Sequence, residues 1–436
     1  MKVNKVKTDS RRNVKIKSTS DRITSRSGLL LAEELLRRLD ARTILDECLS
    51  VKKRKRGFSE SEFITSCALG ILDGSSCLSD MDRLREDEET QELLDIDGVP
   101  HSTTIGEFLD KFSIGHIRQF ENALRRIASG LHEKHPVSDV TVDMDSIVLE
   151  KYGHQQGVGM SYRRKKGYHP QFAFRTDTGE CLFARLQRGN AFSSRNACKM
   201  LKSIRKALPA KTETFRFRAD SAWYAVDFLE LCESWESTYY YITAKQHGCL
   251  MSAIYNIPES DWISFNDCEQ VAELHYRIKG GPPRRFIAKR REEKPGDKQM
   301  TMDFVKYKYH VVVTNDGEMN PGDCMRFATG RCNVENRLKE MVHGLSIHRL
   351  PGKFFMSNWA YLLMVVLAYN LGIWMCSYAL SERHGKISFK TLRYRFLHVA
   401  GRLCNSGRQF WLALKKNYLY LQDFIEALTR IRQIAL

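Results

Sequence analysis

No two of the twelve cysteines in this 436-residue chain form a CxxC pair, and its 13 histidines show no metal-ligand spacing. Neither a zinc site nor a disulfide framework is therefore expected, and the thiols read as reduced and mostly packed. An apolar stretch long enough to cross a bilayer is also missing. The most apolar window, "FFMSNWAYLLMVVLAYNLGIWMCSYAL", is uninterrupted only from Trp359 to Tyr369, between Asn358 and Asn370. A span needs roughly 20 such residues, so a buried core helix and no membrane insertion are expected. The N-terminus carries no apolar signal-peptide core, which predicts an intracellular, cytoplasmic protein. There is no internal repeat and no low-complexity segment.

Acid is in short supply. Lys plus Arg number 69 against 52 Asp plus Glu, a formal charge of +17. Such an excess favours a polyanionic partner, nucleic acid first and an anionic membrane surface second. Length and an apolar content of 42% provide for two to three globular units and exclude a disordered chain.

Residues 1–27 hold nine Lys or Arg against two Asp and have little apolar surface, which predicts a mobile basic arm. From 28 to 136 apolar residues recur at helical spacing in "LLLAEELLRRL", "SESEFITSCALGILDG" and "HIRQFENALRRIASGLHEK". Between the last two, "PHSTTIGEFLDKF" offers Ser102 or Thr103 as the N-cap of a short helix that packs Phe108, Leu109 and Phe112, as a helix-turn-helix unit would. After Val137 the period becomes extended. "DVTVDMDSIVLE", "YHPQFAFRT" and "GECLFARLQ" read as strands, followed by a helix near 194–208, a strand "TFRFRAD", a helix "SAWYAVDFLELCES" and a strand "TYYYITAK". This predicts a mixed α/β core over 137–245. Residues 246–316 alternate like strands in "VAELHYRI", "RRFIAKRREE" and "KYKYHVVVTN", an inserted β region. Helix returns over 317–378, and 379–436 is basic and amphipathic.

The strand "TVDMDSIVLE" carries two carboxylates in an apolar setting, and burying an unpaired ionised Asp costs several kcal/mol or more. Asp143 and Asp145 lie two apart and leave a strand by the same face. Asp220 ends the later strand, where a parallel neighbour would bring it close, and a third acid stands on the helix near 335. Converging carboxylates repel unless a divalent cation offsets them, and oxygen ligands suit Mg²⁺ or Mn²⁺. Plainer readings stand beside this one: Asp143 as a hydrogen-bonded acid, Asp220 as a helix N-cap, Glu335 as a partner of Lys339. Trp262 reads as core or as a stacking platform for an unpaired base. The glycines 153, 157 and 159 read as a turn, without the Lys-Ser/Thr ending of a nucleotide loop.

The ordered set "VDMDS", "GYHPQFAF", "GECLFARLQRGNAFSSRNA", "FRFRADSAWY", "GRCNVENRLKEMVHGL" and "NWAYLLMVVLAYNL" resembles the DDE transposases of bacterial insertion sequences, most of all the insertion-sequence 1380 type. The likeness runs from Gly28 to the C-terminus. It implies a ribonuclease-H-like core interrupted by the β insertion at 246–316, with helical regions N- and C-terminal to it, of which 28–136 would bind DNA. Carried over by position, Asp145, Asp220 and Glu335 would be catalytic and hold Mg²⁺, with Mn²⁺ able to substitute. Asp145 is selected over Asp143 by the small hydroxyl residue that follows it, and Glu340 is the alternative third acid. Arg331 stands at the family's interval before Glu335, while Ala328 occupies its Tyr position and Val342 or His343 its Lys position. Arg331 and Lys339 would touch DNA phosphate, and so would the "RRKK" run Arg163, Arg164, Lys165 and Lys166 between two core strands. The resemblance further implies binding of the element's double-stranded ends and of target DNA, a homodimer in the synaptic complex, and a bacterial, nucleoid-associated location. A metal-dependent nuclease without strand transfer, and an inactive DNA-binding protein, are the rival functions.

Overall fold

The computed structural model describes residues 16–54, 56–292 and 307–434. At its centre is a nine-stranded sheet, its strands numbered in chain order: β1 (Asp139–Ser146), β2 (Gln171–Arg175), β3 (Cys181–Arg185), β4 (Thr214–Ala219), β5 (Thr238–Thr243), β6 (Ile263–Asn266), β7 (Glu269–Arg277), β8 (Pro283–Glu292) and β9 (Tyr307–Thr314). Their spatial order is 6-7-8-9-5-4-1-2-3. The β1–β2–β3 meander is antiparallel, whereas β1, β4 and β5 run parallel. This is a ribonuclease-H-like mixed sheet. The carboxyl ends of its parallel strands form one edge, the position at which open α/β sheets place their sites.

The inserted strands do not form a separate layer. β9 pairs antiparallel with β5, and β8, β7 and β6 follow in turn, so the insertion lengthens the core sheet. Two elements there escape the sequence pattern, the helix Gly248–Tyr255 and the short edge strand β6.

One face of the sheet is closed by the helices Ala197–Ala207 and Val226–Glu233, with Val140, Val142, Met144, Phe215 and Phe217 in their shared core. The other receives the helix Phe355–Trp374, packed against β3 and against the N-terminal helices Glu60–Asp73 and Ile114–Lys134. Contrary to the expectation from its uninterrupted apolar run, this helix with its continuation to Ala379 is long and apolar enough to cross a membrane, yet nearly all of it is buried inside the protein. Its two bracketing asparagines serve the core: Asn370 exchanges hydrogen bonds with the backbone of Cys181, and Asn358 donates to Tyr168 Oη at 3.0 Å. The N-terminal helices start where the local chemistry predicts. Ser59 and Glu62 form a capping box, and Gly74 ends the helix at φ +118°, a conformation that costs glycine nothing.

Three expectations are corrected. His101, not Ser102 or Thr103, caps the helix Ser102–Leu109, because the Ser102 hydroxyl is taken by Asp82 at 2.7 Å. Part of the expected mobile arm is ordered: Ile23–Thr24 pairs with Gly401–Arg402, and Ser27 and Gly28 donate to the carbonyls of Val399 and Leu397. Residues 1–15 lie outside the described residues. The C-terminal region is not helical throughout, since Gly401–Ser406 and Gln409–Leu414 form a hairpin before the helix Leu421–Gln433. No disulfide joins the described cysteines.

Candidate active site

The two acids of β1 meet different fates. Asp143 is fully buried and accepts two bonds from Arg218 of β4, Nε to Oδ1 at 2.7 Å and Nη2 to Oδ2 at 2.9 Å. A bidentate guanidinium therefore compensates it, and no cation is needed there. Asp145, one pleat further on, has no such partner. Its carboxylate accepts from the backbone N–H of Ser146 at 2.7 Å and stands 3.8 Å from Arg331 Nη2. Burial, reinforced by the nearby charges of Asp220 and Glu335, pushes its pKa up to about 6 against the pull of Arg331. Thus Asp220 and Glu335 both lie close enough to Asp145 to act on it electrostatically.

Asp220 follows β4 directly and accepts from Ala222 N–H at 2.8 Å as the cap of a single turn, Ser221–Trp223. Capping uses Oδ1 and leaves Oδ2 for another partner. Glu335 rides on the helix Cys332–Lys339, which two arginines fasten to the core. Arg331 donates to the Met144 carbonyl at 3.0 Å, and Arg337 donates to the Thr176 carbonyl at 2.8 Å. Arg218 adds a bond to the Phe327 carbonyl at 2.8 Å, so the group that neutralises Asp143 also holds the preceding helix, Pro321–Thr329. Glu335 itself is exposed. Glu340 accepts from Phe389 N–H at 2.9 Å, a structural role at the start of the turn Phe389–Leu392.

Lys339 is exposed, and no ion pair joins it to Glu335 among the described residues. Arg331 is three-quarters or more enclosed, and its Nε is buried without a partner. Arg163, Arg164, Lys165 and Lys166 are all exposed on a small sheet formed by Leu149–Glu150, Gly159–Met160 and Lys166–Tyr168. Lys165 pairs with Glu150 there, and Arg163 lies over the Tyr162 ring. Trp262 is no base platform: it is buried, with the Arg290 guanidinium 4.1 Å from its ring.

Sequence reasoning missed the group that holds the end of β1. Ser146 Oγ lies 3.0 Å from His169 Nε2 and 3.1 Å from Ser193 Oγ, while His169 Nδ1 lies 2.9 Å from the Ala191 carbonyl. A carbonyl only accepts, so Nδ1 carries the proton and Nε2 accepts from the Ser146 hydroxyl. Burial lowers the His169 pKa further, in keeping with a neutral ring. The loop carrying Ser193 is pressed onto the small sheet at Gly189, where a Cβ would lie 2.1 Å from the Gly167 carbonyl oxygen. His169 and Ser193 both fall inside segments that carried the resemblance, but no spacing marks them as neighbours.

The model of the family "Transposase DDE domain group 1" matches residues 6–436. The chain belongs to this DDE transposase family. Among solved structures it is similar to a piggyBac transposase synaptic complex with hairpin DNA, at 10% identity and a TM-score of 0.44, over 84% of this chain and 79% of that one. No curated protein matches. Membership makes this a DNA-transposing enzyme of a family that uses divalent metal ions. Among the described residues no three His, Cys, Asp or Glu side chains are drawn together closely enough to hold a metal. The donor set nevertheless fits one. It is all oxygen, suited to a hard cation, and its half-buried member, Asp145, has no hydrogen-bonded cation beside it, Arg331 standing 3.8 Å away.

Proposed function

We propose that this transposase binds the ends of its own insertion sequence, cuts the DNA there and transfers the freed 3′ hydroxyls to target DNA. The observation that supports this reading is that Asp145 and Asp220 stand at the carboxyl ends of the neighbouring parallel strands β1 and β4, with Glu335 near enough to act on Asp145. Mg²⁺, with Mn²⁺ as a substitute, held by these three would activate the attacking water or hydroxyl and stabilise the leaving oxygen. The chain's own residues do the positioning. Arg331, steadied by the Met144 carbonyl and 3.8 Å from Asp145, would set a fixed positive charge beside the phosphate being cut. Lys339 and the run Arg163 to Lys166 add exposed positive charge for the duplex backbone. His169 keeps the Ser146 hydroxyl turned towards itself and so fixes the strand end on which Asp145 sits. A homodimer would hold two element ends together, in the cytoplasm at the bacterial nucleoid.

The test is cleavage and joining of a labelled duplex carrying the element's end, with Mg²⁺ or Mn²⁺, by wild type and by Asp145→Asn, Asp220→Asn and Glu335→Gln. Each substitution is expected to lower cutting by about a thousandfold or more while end binding persists, since each would remove a metal ligand. Cutting without joining would make the protein a metal-dependent nuclease. Binding without any cutting by the wild type would make it a DNA-binding protein that has lost catalysis.

A further inference from the structure

Between Glu382 and Asp423 the sequence contains no acid, and this stretch holds nine Lys or Arg. Several of these cations serve the fold. Arg393 donates to the Ile71 and Leu72 carbonyls, Arg383 pairs with Asp423, and Arg395 lies over the Tyr420 ring. The hairpin Gly401–Leu414 and its exit use theirs otherwise. Arg408 at the turn and Lys415 and Lys416 after the second strand are exposed, and no ion pair holds them among the described residues. Arg402 is 3.8 Å from Asp21, with both side chains more than half exposed.

Register sorts the hairpin's faces. Gly401, Leu403, Leu412 and Leu414 share one face, on which Leu403 is buried and Leu414 packs against the helical core. Arg402, Cys404, Gln409, Trp411 and Ala413 share the other. Trp411 is 54% exposed there. A tryptophan left half in water, between the Arg408 turn and Arg402, with Lys415 and Lys416 beyond, is a surface built for contact.

Gln409–Leu414 is also an edge strand without a charged or proline residue to block further pairing. A second copy is the wrong occupant. Antiparallel self-pairing of this strand would set Arg408 of one copy beside Lys415 of the other, and like charges directly opposite destabilise. The charge complement is a polyanion. A two-stranded ribbon fits the DNA major groove, where basic side chains reach phosphates and an aromatic face meets bases or sugars.

We propose that the hairpin Gly401–Leu414, with Lys415 and Lys416, is a second duplex-DNA-binding element, separate from the carboxylate edge, entering a groove of the DNA through Arg402, Arg408 and Trp411. This rests on the reading that the protein acts on DNA. The experiment uses the full chain and a fluorescent duplex carrying the element's end, with binding measured over a range of salt. It compares wild type with the combined variant Arg402→Ser/Arg408→Asn/Lys415→Ser/Lys416→Ser, with Trp411→Ser, and with Arg402→Lys/Arg408→Lys. Asn is chosen at 408 because the backbone there has φ +64°. The combined variant is expected to bind about 10- to 100-fold more weakly, and the slope of log K against log salt should shrink by about 3 to 4, at about 0.9 per phosphate contact. Trp411→Ser should weaken binding with the slope unchanged, and the lysine variant should keep the wild-type slope. A combined variant with wild-type affinity and slope overturns the proposal while leaving the function reading intact. So does a loss of dimer with DNA binding per protomer unchanged, which would make the hairpin a protein interface. A wild type that binds no duplex overturns both. The lysine variant, with charge and shape kept, separates lost contacts from lost folding.

Discussion

The two halves of the central sheet treat charge in opposite ways. In the insertion, cations are matched in place: Arg284 to Glu233, Arg285 to Glu273, Lys289 to Glu269 and Arg290 to Glu259. At the carboxyl edge of β1 and β4, only Asp143 is matched by a bidentate cation, whereas Asp145 has Arg331 no nearer than 3.8 Å and feels the like charges of Asp220 and Glu335. Both halves carry charged residues on their strands, so the presence of charge does not separate them. What separates them is pairing. Charge cancelled within the fold serves stability, and charge left unbalanced beside a buried strand end calls for something from outside.

The sharpest way to break this comparison is to unmatch the matched acid. Arg218→Met leaves Asp143 buried without its cation, which should cost about 3–5 kcal/mol in urea unfolding, whereas Asp143→Leu/Arg218→Met should recover most of that loss. A single-variant cost below about 1 kcal/mol would show that pairing is not what allows a carboxylate into this strand.

A smaller effect is expected at Glu121, on the helix Ile114–Lys134, where an acid is half-buried without a hydrogen-bonded cation. Burial pushes its pKa up to about 7 from an ordinary value of 4.5, despite Arg185, Arg118 and Arg125 nearby. The folded state then holds its proton more tightly than the unfolded one, so stability falls as pH rises from about 4.5 to about 7. Glu121→Gln should flatten that part of the profile, matching wild type at low pH and exceeding it by about 2 kcal/mol near pH 8. Parallel pH profiles for the two proteins would remove Glu121 from the set of uncompensated acids.

The smallest effect belongs to the insertion. Lys289→Met breaks the 2.8 Å pair with Glu269, whose two side chains are partly buried on the sheet surface, and should change stability by about 1 kcal/mol. A loss of several kcal/mol would mean that the insertion's pairs are as critical as the Asp143–Arg218 pair.

The sequence by itself determined the local features: the strand "TVDMDS", the later strand ending at Asp220, the helix bearing Glu335, the long buried helix and three of the four inserted strands. Each follows from a period of two or of 3.6 and from short-range capping, which neighbouring residues decide. Which of the β1 acids is neutralised was settled only in the tertiary structure, because Arg218 meets Asp143 through parallel pairing across 75 residues. The same holds for Arg331 and Arg337, which fix the acid-bearing helix through carbonyls more than 150 residues away, and for Trp262, covered by Arg290. The continuation of the sheet through β9 and the pairing of Ile23–Thr24 with the C-terminal hairpin are long-range as well. Hydrophobic periodicity specifies which face of an element is buried but not what lies against it, and the free energy of a buried charge depends almost wholly on what lies against it.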